Sequence, residues 1–339
     1  MDETRLKTLL ARFSGVRALV VGDFFLDRYL VIDPALAERS IETGLEAHQV
    51  VEVIASPGAA GTVTANLRAL GASVAALGIV GDDGEGYELR RGLRAIGADD
   101  SALVVADRWH TPTYTKPIAR GSGSAPQERE RLDIRTRAPA PAAAIDRLLE
   151  RLDDLVERVN AVLVADQMPE PDRGSITGRV RERLAELAVR HPNKWFLADS
   201  RERIGAFRNL IVKPNLRECA RAIFPKHRGE PDLALAGRAG ELLRQRTGRP
   251  VLVTLGAAGM LVVSEQGAER VPALAVDGPI DVVGAGDSAL AAIAAGLCAG
   301  ATLAEAAQLG NLAAAVTIQQ LGTTGTASPE QIAAIWQSV

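Results

Sequence analysis

Lysine is scarce in this chain. Five lysines, Lys7, Lys116, Lys194, Lys213 and Lys226, stand among 39 basic residues in 339. None follows a glycine, so a GxxxxGK[ST] phosphate loop cannot occur. Basic residues do not exceed the 42 acidic ones, and the net charge is −3, so no basic excess points to nucleic acid. The two cysteines, Cys219 and Cys298, lie far apart and make neither a disulfide framework nor a zinc site. The four histidines, at 48, 110, 191 and 227, show no metal-ligand spacing. The longest weakly polar stretch, Ser288 to Ala301, is rich in Ala and Gly and reads as a buried helix rather than a membrane span. The amino terminus, Met1 to Phe13, carries Asp2, Glu3, Arg5, Lys7 and Arg12 at helical spacing, unlike a signal peptide. The expectation is a cytoplasmic protein with neither nucleic acid nor membrane as partner.

What is present is a rhythm. Short apolar runs recur at Arg17–Gly22, Val74–Val80, Ala161–Ala165, Trp195–Ala198, Leu210–Val212, Val251–Leu255 and Met260–Val263. Helical periods lie between most of them, such as Ile145, Leu148, Leu149, Leu152, Leu155, Val156 and Val159, or Leu235, Leu242 and Leu243. Continuous strands alternating with amphipathic helices predict an α/β fold with a mostly parallel central sheet covered on both faces. Two segments break the rhythm, at about 28–55 and 111–137. Both predict half-exposed strands, the second interrupted by a polar loop over 121–126, and together they suit a small β-lid on a single domain spanning 1–339. Two plain surface hairpins are the alternative.

The phosphate-binding candidate is Asp281-Val-Val-Gly-Ala-Gly-Asp287, directly before the Ala-rich helical stretch. Glycines ahead of a helix let backbone N–H groups converge on an anion, and the helix dipole adds to that. Asp287 at the mouth of such a nest could take a proton from an attacking hydroxyl while the amides of Gly284, Ala285 and Gly286 hold the phosphoryl group. A plain glycine turn with an acidic cap is the alternative. Gly284, Gly286 and Ala289 also fit a loose G-x-G-x-x-A dinucleotide pattern, which would make the chain a nicotinamide-dependent oxidoreductase. Too few residues follow for that fold, and no strong strand precedes it.

The same run resembles the carboxyl-terminal signature of the ribokinase/PfkB family of small-molecule kinases. Other segments follow in the family's order: Val20-Val-Gly-Asp-Phe-Phe-Leu-Asp-Arg-Tyr29, Ser56-Pro-Gly-Ala-Ala-Gly-Thr-Val-Thr-Ala-Asn66, Gly78-Ile-Val-Gly-Asp-Asp-Gly-Glu-Gly86, Lys213-Pro-Asn-Leu-Arg-Glu218, Val253-Thr-Leu-Gly-Ala-Ala-Gly259, Gly310-Asn311 and Gly322-Thr-Thr-Gly325. The resemblance covers roughly 15–335. Within the family, the GDxxxDRY opening, Thr115-Lys-Pro-Ile and Arg131-Leu-Asp133 are most similar to the kinase domain of ADP-heptose synthase, which phosphorylates a heptose 7-phosphate. Only a kinase half is expected here.

The resemblance implies a ribokinase-like fold, ATP and Mg²⁺ as cofactors, an open question over K⁺, and a homodimer formed through the lid. It assigns Asp287 as catalytic base beside Gly284, Ala285 and Gly286. Asp23, Asp27, Gly58, Thr62 and Lys116 become acceptor contacts. Lys213, Asp199, Arg201, Thr254, Gly256, Gly259 and Asn311 fall on the nucleotide side. Asn215 and Glu218 would organise Mg²⁺ through water, although the same pair reads equally as a helix capping box. Three positions depart from the family pattern: the glycine pair is Gly58-Ala59, an Asn is replaced by Thr62, and a Thr by Val283. Thr62 lacks an amide and cannot make the same paired hydrogen bonds to a sugar. The phosphoryl-transfer residues are retained while the acceptor pocket is altered. A non-catalytic sugar or nucleotide sensor on a kinase fold is the rival from another class.

Overall fold

The computed structural model describes residues 1–121, 127–322 and 324–337. From the amino terminus the chain forms α1 (Glu3–Ala11), β1 (Arg17–Gly22), β2 (Phe24–Arg39), β3 (Glu46–Ala59), α2 (Ala60–Ala69), β4 (Ser73–Leu77), β5 (Ile79–Gly81), α3 (Gly84–Ala95) and β6 (Val104–Ala106). Next come β7 (Thr113–Ala119), β8 (Gln127–Glu128), β9 (Leu132–Ile134), α4 (Ala142–Val156), β10 (Ala161–Asp166), α5 (Gly178–Arg190), β11 (Trp195–Ser200) and β12 (Ile211–Val212). The last part holds α6 (Leu216–Ile223), α7 (Leu233–Thr247), β13 (Val251–Thr254), β14 (Met260–Ser264), β15 (Gly267–Val271), α8 (Ala285–Cys298), α9 (Leu303–Thr317) and α10 (Pro329–Gln337).

The main sheet runs β15-β14-β13-β12-β11-β10-β1-β4. Its pairings from β4 to β13 are parallel, and β14 and β15 add an antiparallel edge. Strand alternation divides the core in two. Ala18 and Val20 of β1 pack into one hydrophobic cluster with α1, α2, α8 and α9. Leu19 and Val21 pack into another with α4, α5 and α7. Both faces of β1 are thus buried, which is why its sequence shows a continuous apolar run. The helical period was less exact: Leu242 lies 42% exposed on α7, while Leu235 and Leu243 are buried. The run Val74–Val80 is two strands. Gly78 divides it because its Cα faces the Gly22 carbonyl and the Phe24 ring, where a Cβ would collide.

The two segments that break the rhythm form one second sheet, β3-β2-β7-β8, with β9 also on β7. The strands reach further inward than the patterning marks, β2 starting at Phe24 and β3 ending at Ala59. β2 pairs antiparallel with β3 and parallel with β7. Residues 122–126 of the expected polar loop, and residue 323 in the Gly322–Gly325 segment, lie outside the described residues. The stretch Ser288 to Leu297 is buried along α8, with Gly296 under Leu309 of α9. Among the described residues no helix is long and apolar enough to cross a membrane.

Candidate active site

The amino end of α8 is the centre of the site. Gly284 is its cap, with φ of 81°, a left-handed conformation that glycine adopts without strain. A Cβ there would strike Thr324 and touch the Thr62 methyl, so α2 and the 284–287 turn meet at this point. The carbonyl of Val282 accepts from the Ala285 amide at 3.3 Å. That engages one of the three groups expected to hold an anion. The Gly286 and Asp287 amides meet no acceptor among the described residues, as first-turn amides leave them unpaired. Asp287 is half-buried in the first turn of α8. Burial and the neighbouring Asp199 charge push its carboxyl up to about 7, against the pull of Lys213 and Arg201; the Asp27 charge also reaches it.

Lys213, 3% exposed, follows β12 and places Nζ 2.7 Å from Asp199 Oδ2. A Cβ on Gly286 would lie 3.5 Å from the same Nζ, so the ammonium stands beside the α8 turn. Burial works against its charge, and Asp199, Glu218 and Asp287 together outweigh it, raising its pKa. Asn215 and Glu218 form a reciprocal capping box on α6. Asn215 Oδ1 accepts from the Glu218 amide and Glu218 Oε2 from the Asn215 amide, both at 2.8 Å. The helix-start reading therefore holds. It leaves Glu218 Oε1 unused, and burial with the Asp199 charge lifts Glu218 to about 7. Among the described residues no cluster of three metal-ligating side chains occurs. The donor set fits a hydrated Mg²⁺ that keeps its waters, not one stripped into a protein cage.

On one side of α8 lies an apolar cavity of about 500 Å³ bounded by Thr254, Gly256, Gly259, Ile280, Val282 and Asn311. Gly256 and Gly259 have φ of 58° and 93°, and a Cβ on Gly259 would strike the backbone of Val271 and Ala273. Asn311 Nδ2 donates to the Val271 and Pro272 carbonyls at 3.1 and 3.0 Å. Its amide is thereby committed to shaping the wall. Thr254 bridges to Asn215, its amide donating to the Pro214 carbonyl. The loop 272–284 ahead of α8 contains no strand, so Gly284, Gly286 and Ala289 lack the strand-turn-helix context of a dinucleotide fingerprint.

On the other side lies the second sheet. Asp27 on β2 faces Gly58, where any Cβ would collide with its carboxylate. Burial raises the pKa of Asp27, opposed by Lys116 and Arg131. Lys116 is half-buried. Its Nζ donates to Tyr29 Oη at 3.3 Å and sits 4.9 Å from the Tyr29 ring centre. Arg131, paired with Asp133 at 2.6 Å, stacks 4.1 Å over Tyr114, and Tyr114 meets Phe25 edge-on at 5.0 Å. Thr62 is 4% exposed at the start of α2.

Asp23 differs from the expectation. It is 3% exposed, and its carboxylate accepts from the Gln167 and Met168 amides at 2.9 Å and the Ser175 amide at 2.7 Å. It is taken up by the backbone of the 167–175 loop and is not presented to an acceptor. Asp27, four residues on, is the carboxylate that faces the lid side. Arg201 is exposed and its charge acts on Asp287 and Tyr114. Its backbone carbonyl accepts from Arg221. Tyr29, Tyr114 and Arg203 were not foreseen. The parallel register that sets Asp27 beside Tyr114 and Tyr29 beside Lys116 joins segments distant in sequence, so no local pattern announces it.

The pfkB family carbohydrate kinase model matches residues 27–331. The bifunctional protein HldE of Trichlorobacter lovleyi is 30% identical over 345 residues, covering 99% of this chain and 66% of that protein. HldE of Caulobacter vibrioides is 33% identical over 325 residues, covering 95% and 64%. The chain thus spans just under two thirds of the length of these relatives. Among solved structures, phosphofructokinase-2 of Escherichia coli in complex with fructose-6-phosphate superposes with a TM-score of 0.69 at 18% identity, covering 95% of this chain and 99% of that one. Ribokinase of Thermotoga maritima gives 0.65 at 20%, again covering 95% and 99%. At these identities the structural likeness shows the ribokinase-like fold.

Proposed function

The chain belongs to the pfkB family of carbohydrate kinases, and from that premise we propose that it transfers the γ-phosphoryl group of ATP to a hydroxyl of a sugar phosphate, with Mg²⁺ as cofactor. The observation that carries the reading is the position of Asp287. It lies in the first turn of α8, next in the chain to Ala285 and Gly286, which line the apolar cavity, and the charge of Asp27 on β2 acts on it. The acceptor oxygen attacks the γ-phosphorus, its proton passes to the Asp287 carboxylate, and the bond to the β-phosphate oxygen breaks to release ADP. The Gly286 and Asp287 amides and Lys213 face the negative charge spread over the transferring group. Asn215 and Glu218 would hold the water shell of a bound Mg²⁺, whose charge would shield the nucleotide phosphates.

The half-buried Lys116 and the Arg131–Tyr114 stack favour an acceptor carrying its own phosphate, since cations fixed on a lid cost little further ordering when an anion arrives. A heptose phosphate fits the resemblance of the GDxxxDRY opening, Thr115-Lys-Pro-Ile and Arg131-Leu-Asp133 to the ADP-heptose synthase kinase domain. The exposed edge strand β3, with Val51, Val53 and Ile54 largely bare, supports a homodimer through the lid. The test is Mg-ATP-dependent ADP release against hexoses, heptoses, their phosphates and nucleosides. Acceptor-dependent release that Asp287→Asn abolishes supports the kinase mechanism. ATP binding with no release across the panel moves the weight to a non-catalytic sensor.

A further inference from the structure

The loop from Gln167 to Ser175 follows β10 at the carboxyl edge of the sheet, where open α/β sheets bind ligands. Two buried carboxylates hold it. Asp23 binds three of its amides, at both ends, and Gly174 packs on Asp23 so closely that a Cβ would collide. Asp166, 1% exposed, accepts from Ser200 Oγ at 2.7 Å and from Arg203 at 2.6 and 3.2 Å. Arg203 gives two further donors to the loop, one hydrogen bond to the Met168 carbonyl and one at 2.8 Å to that of Pro169. The middle of the loop reaches the lid base, with Glu170 3.7 Å from Arg135. Arg135 in turn acts on Tyr114, the register partner of Asp27.

Burying two carboxylates and a guanidinium carries a desolvation cost that apolar packing would avoid. A fully satisfied network of this kind gives a single geometry in return. We propose that Asp23 and Arg203 are positioning residues that fix the 167–175 loop as a rigid wall of the acceptor site, against which the lid closes through Glu170 and Arg135. This rests on the kinase reading above. Arg203 supplies a planar fork to two carbonyls and a carboxylate at once, which a lysine cannot reproduce.

The test uses the full chain, with Arg203→Lys as the first variant and Glu170→Gln, at the partly exposed end of the network, as one that leaves the core untouched. Amide hydrogen exchange at Gln167, Met168 and Ser175 is read without substrates. The KM for acceptor, the KM for ATP and kcat are read separately. Arg203→Lys is expected to speed exchange at these amides at least tenfold and to raise the acceptor KM about tenfold, with the ATP KM within twofold. Glu170→Gln is expected to raise the acceptor KM severalfold without changing exchange at the anchored amides. Acceptor KM unchanged in both variants, with wild-type turnover present, overturns the positioning role and leaves the kinase reading intact. Equal loss on the ATP and acceptor sides also overturns it, because a merely structural defect would behave so. A wild type without acceptor-dependent turnover removes both.

Discussion

The Lys213 ammonium lies 2.7 Å from the Asp199 carboxylate, and both side chains are buried. The pair sits among Asp287 and Glu218, and the Lys213 charge acts on both carboxyls, joined by Arg201 at Asp287 and Arg221 at Glu218. Removing one member leaves the other charge unpaired. Lys213→Met should lower unfolding free energy by about 3–5 kcal/mol in denaturant titration. Pairing it with Asp199→Leu should restore much of the loss. If Lys213→Met alone unfolds like the wild type, the pair carries no structural weight.

The Asp287 carboxyl, lifted to about 7, must be ionised to accept a proton. Turnover should therefore rise with pH through about 7, and Asp287→Asn should remove that rise together with about 10²–10⁴-fold of rate. Stability moves oppositely. A carboxyl whose folded pKa exceeds its unfolded value binds more protons when folded, so its contribution weakens as pH climbs from about 4 to about 7. Asp287→Asn should melt higher than the wild type above pH 7, with the gap closing in acid. A wild type that remains the more heat-resistant protein at pH 8 would contradict this.

Ala59 carries φ of 54° and ψ of −114° as the cap of α2, a region that side chains enter only under strain, of about 1–3 kcal/mol. Ala59→Gly should raise stability by about 1 kcal/mol net, since the freer unfolded glycine returns part of the gain. Calorimetry showing a lower melting temperature would refute the strain.

Lys116→Met should raise the KM of a phosphorylated acceptor about 10–100-fold, the worth of a charge-assisted hydrogen bond. An unphosphorylated analogue should be affected far less. Equal effects on both would mean that Lys116 does not meet the phosphate.

Val53→Glu on the open edge strand should convert a lid-joined dimer to monomers in sedimentation velocity. A wild-type protein already monomeric at micromolar concentration ends the dimer proposal.

The parallel sheet was readable because strands such as Arg17–Gly22 are buried on both faces and say so in the unbroken apolar run from Ala18 to Val21. The head of α8 was readable because Gly284 to Asp287 is contiguous. The Asn215–Glu218 capping box was equally local, three residues apart at the head of α6. Asp23 and Asp27 were not separable in sequence, because both are acids near one strand end. What distinguishes them is three amides from a loop that starts at Gln167. Arg203 was invisible for a related reason: its partners are Asp166, 37 residues away, and the backbone carbonyls of Met168 and Pro169, and neither distance in sequence nor backbone leaves a local signature.

The parallel pairing of β2 with β7 is non-local. Leu26 meets Thr113 across β3, α2, β4, β5, α3 and β6, and contacts of such sequence separation carry a loop-closure cost that local hairpins do not. The strand that carries Lys116 and Tyr114 therefore depends on the core between the two strands as the β2–β3 hairpin does not. Moved alone to another protein, the β2–β3 hairpin would bring Asp27 and a bare edge without the residues that make a binding surface of it.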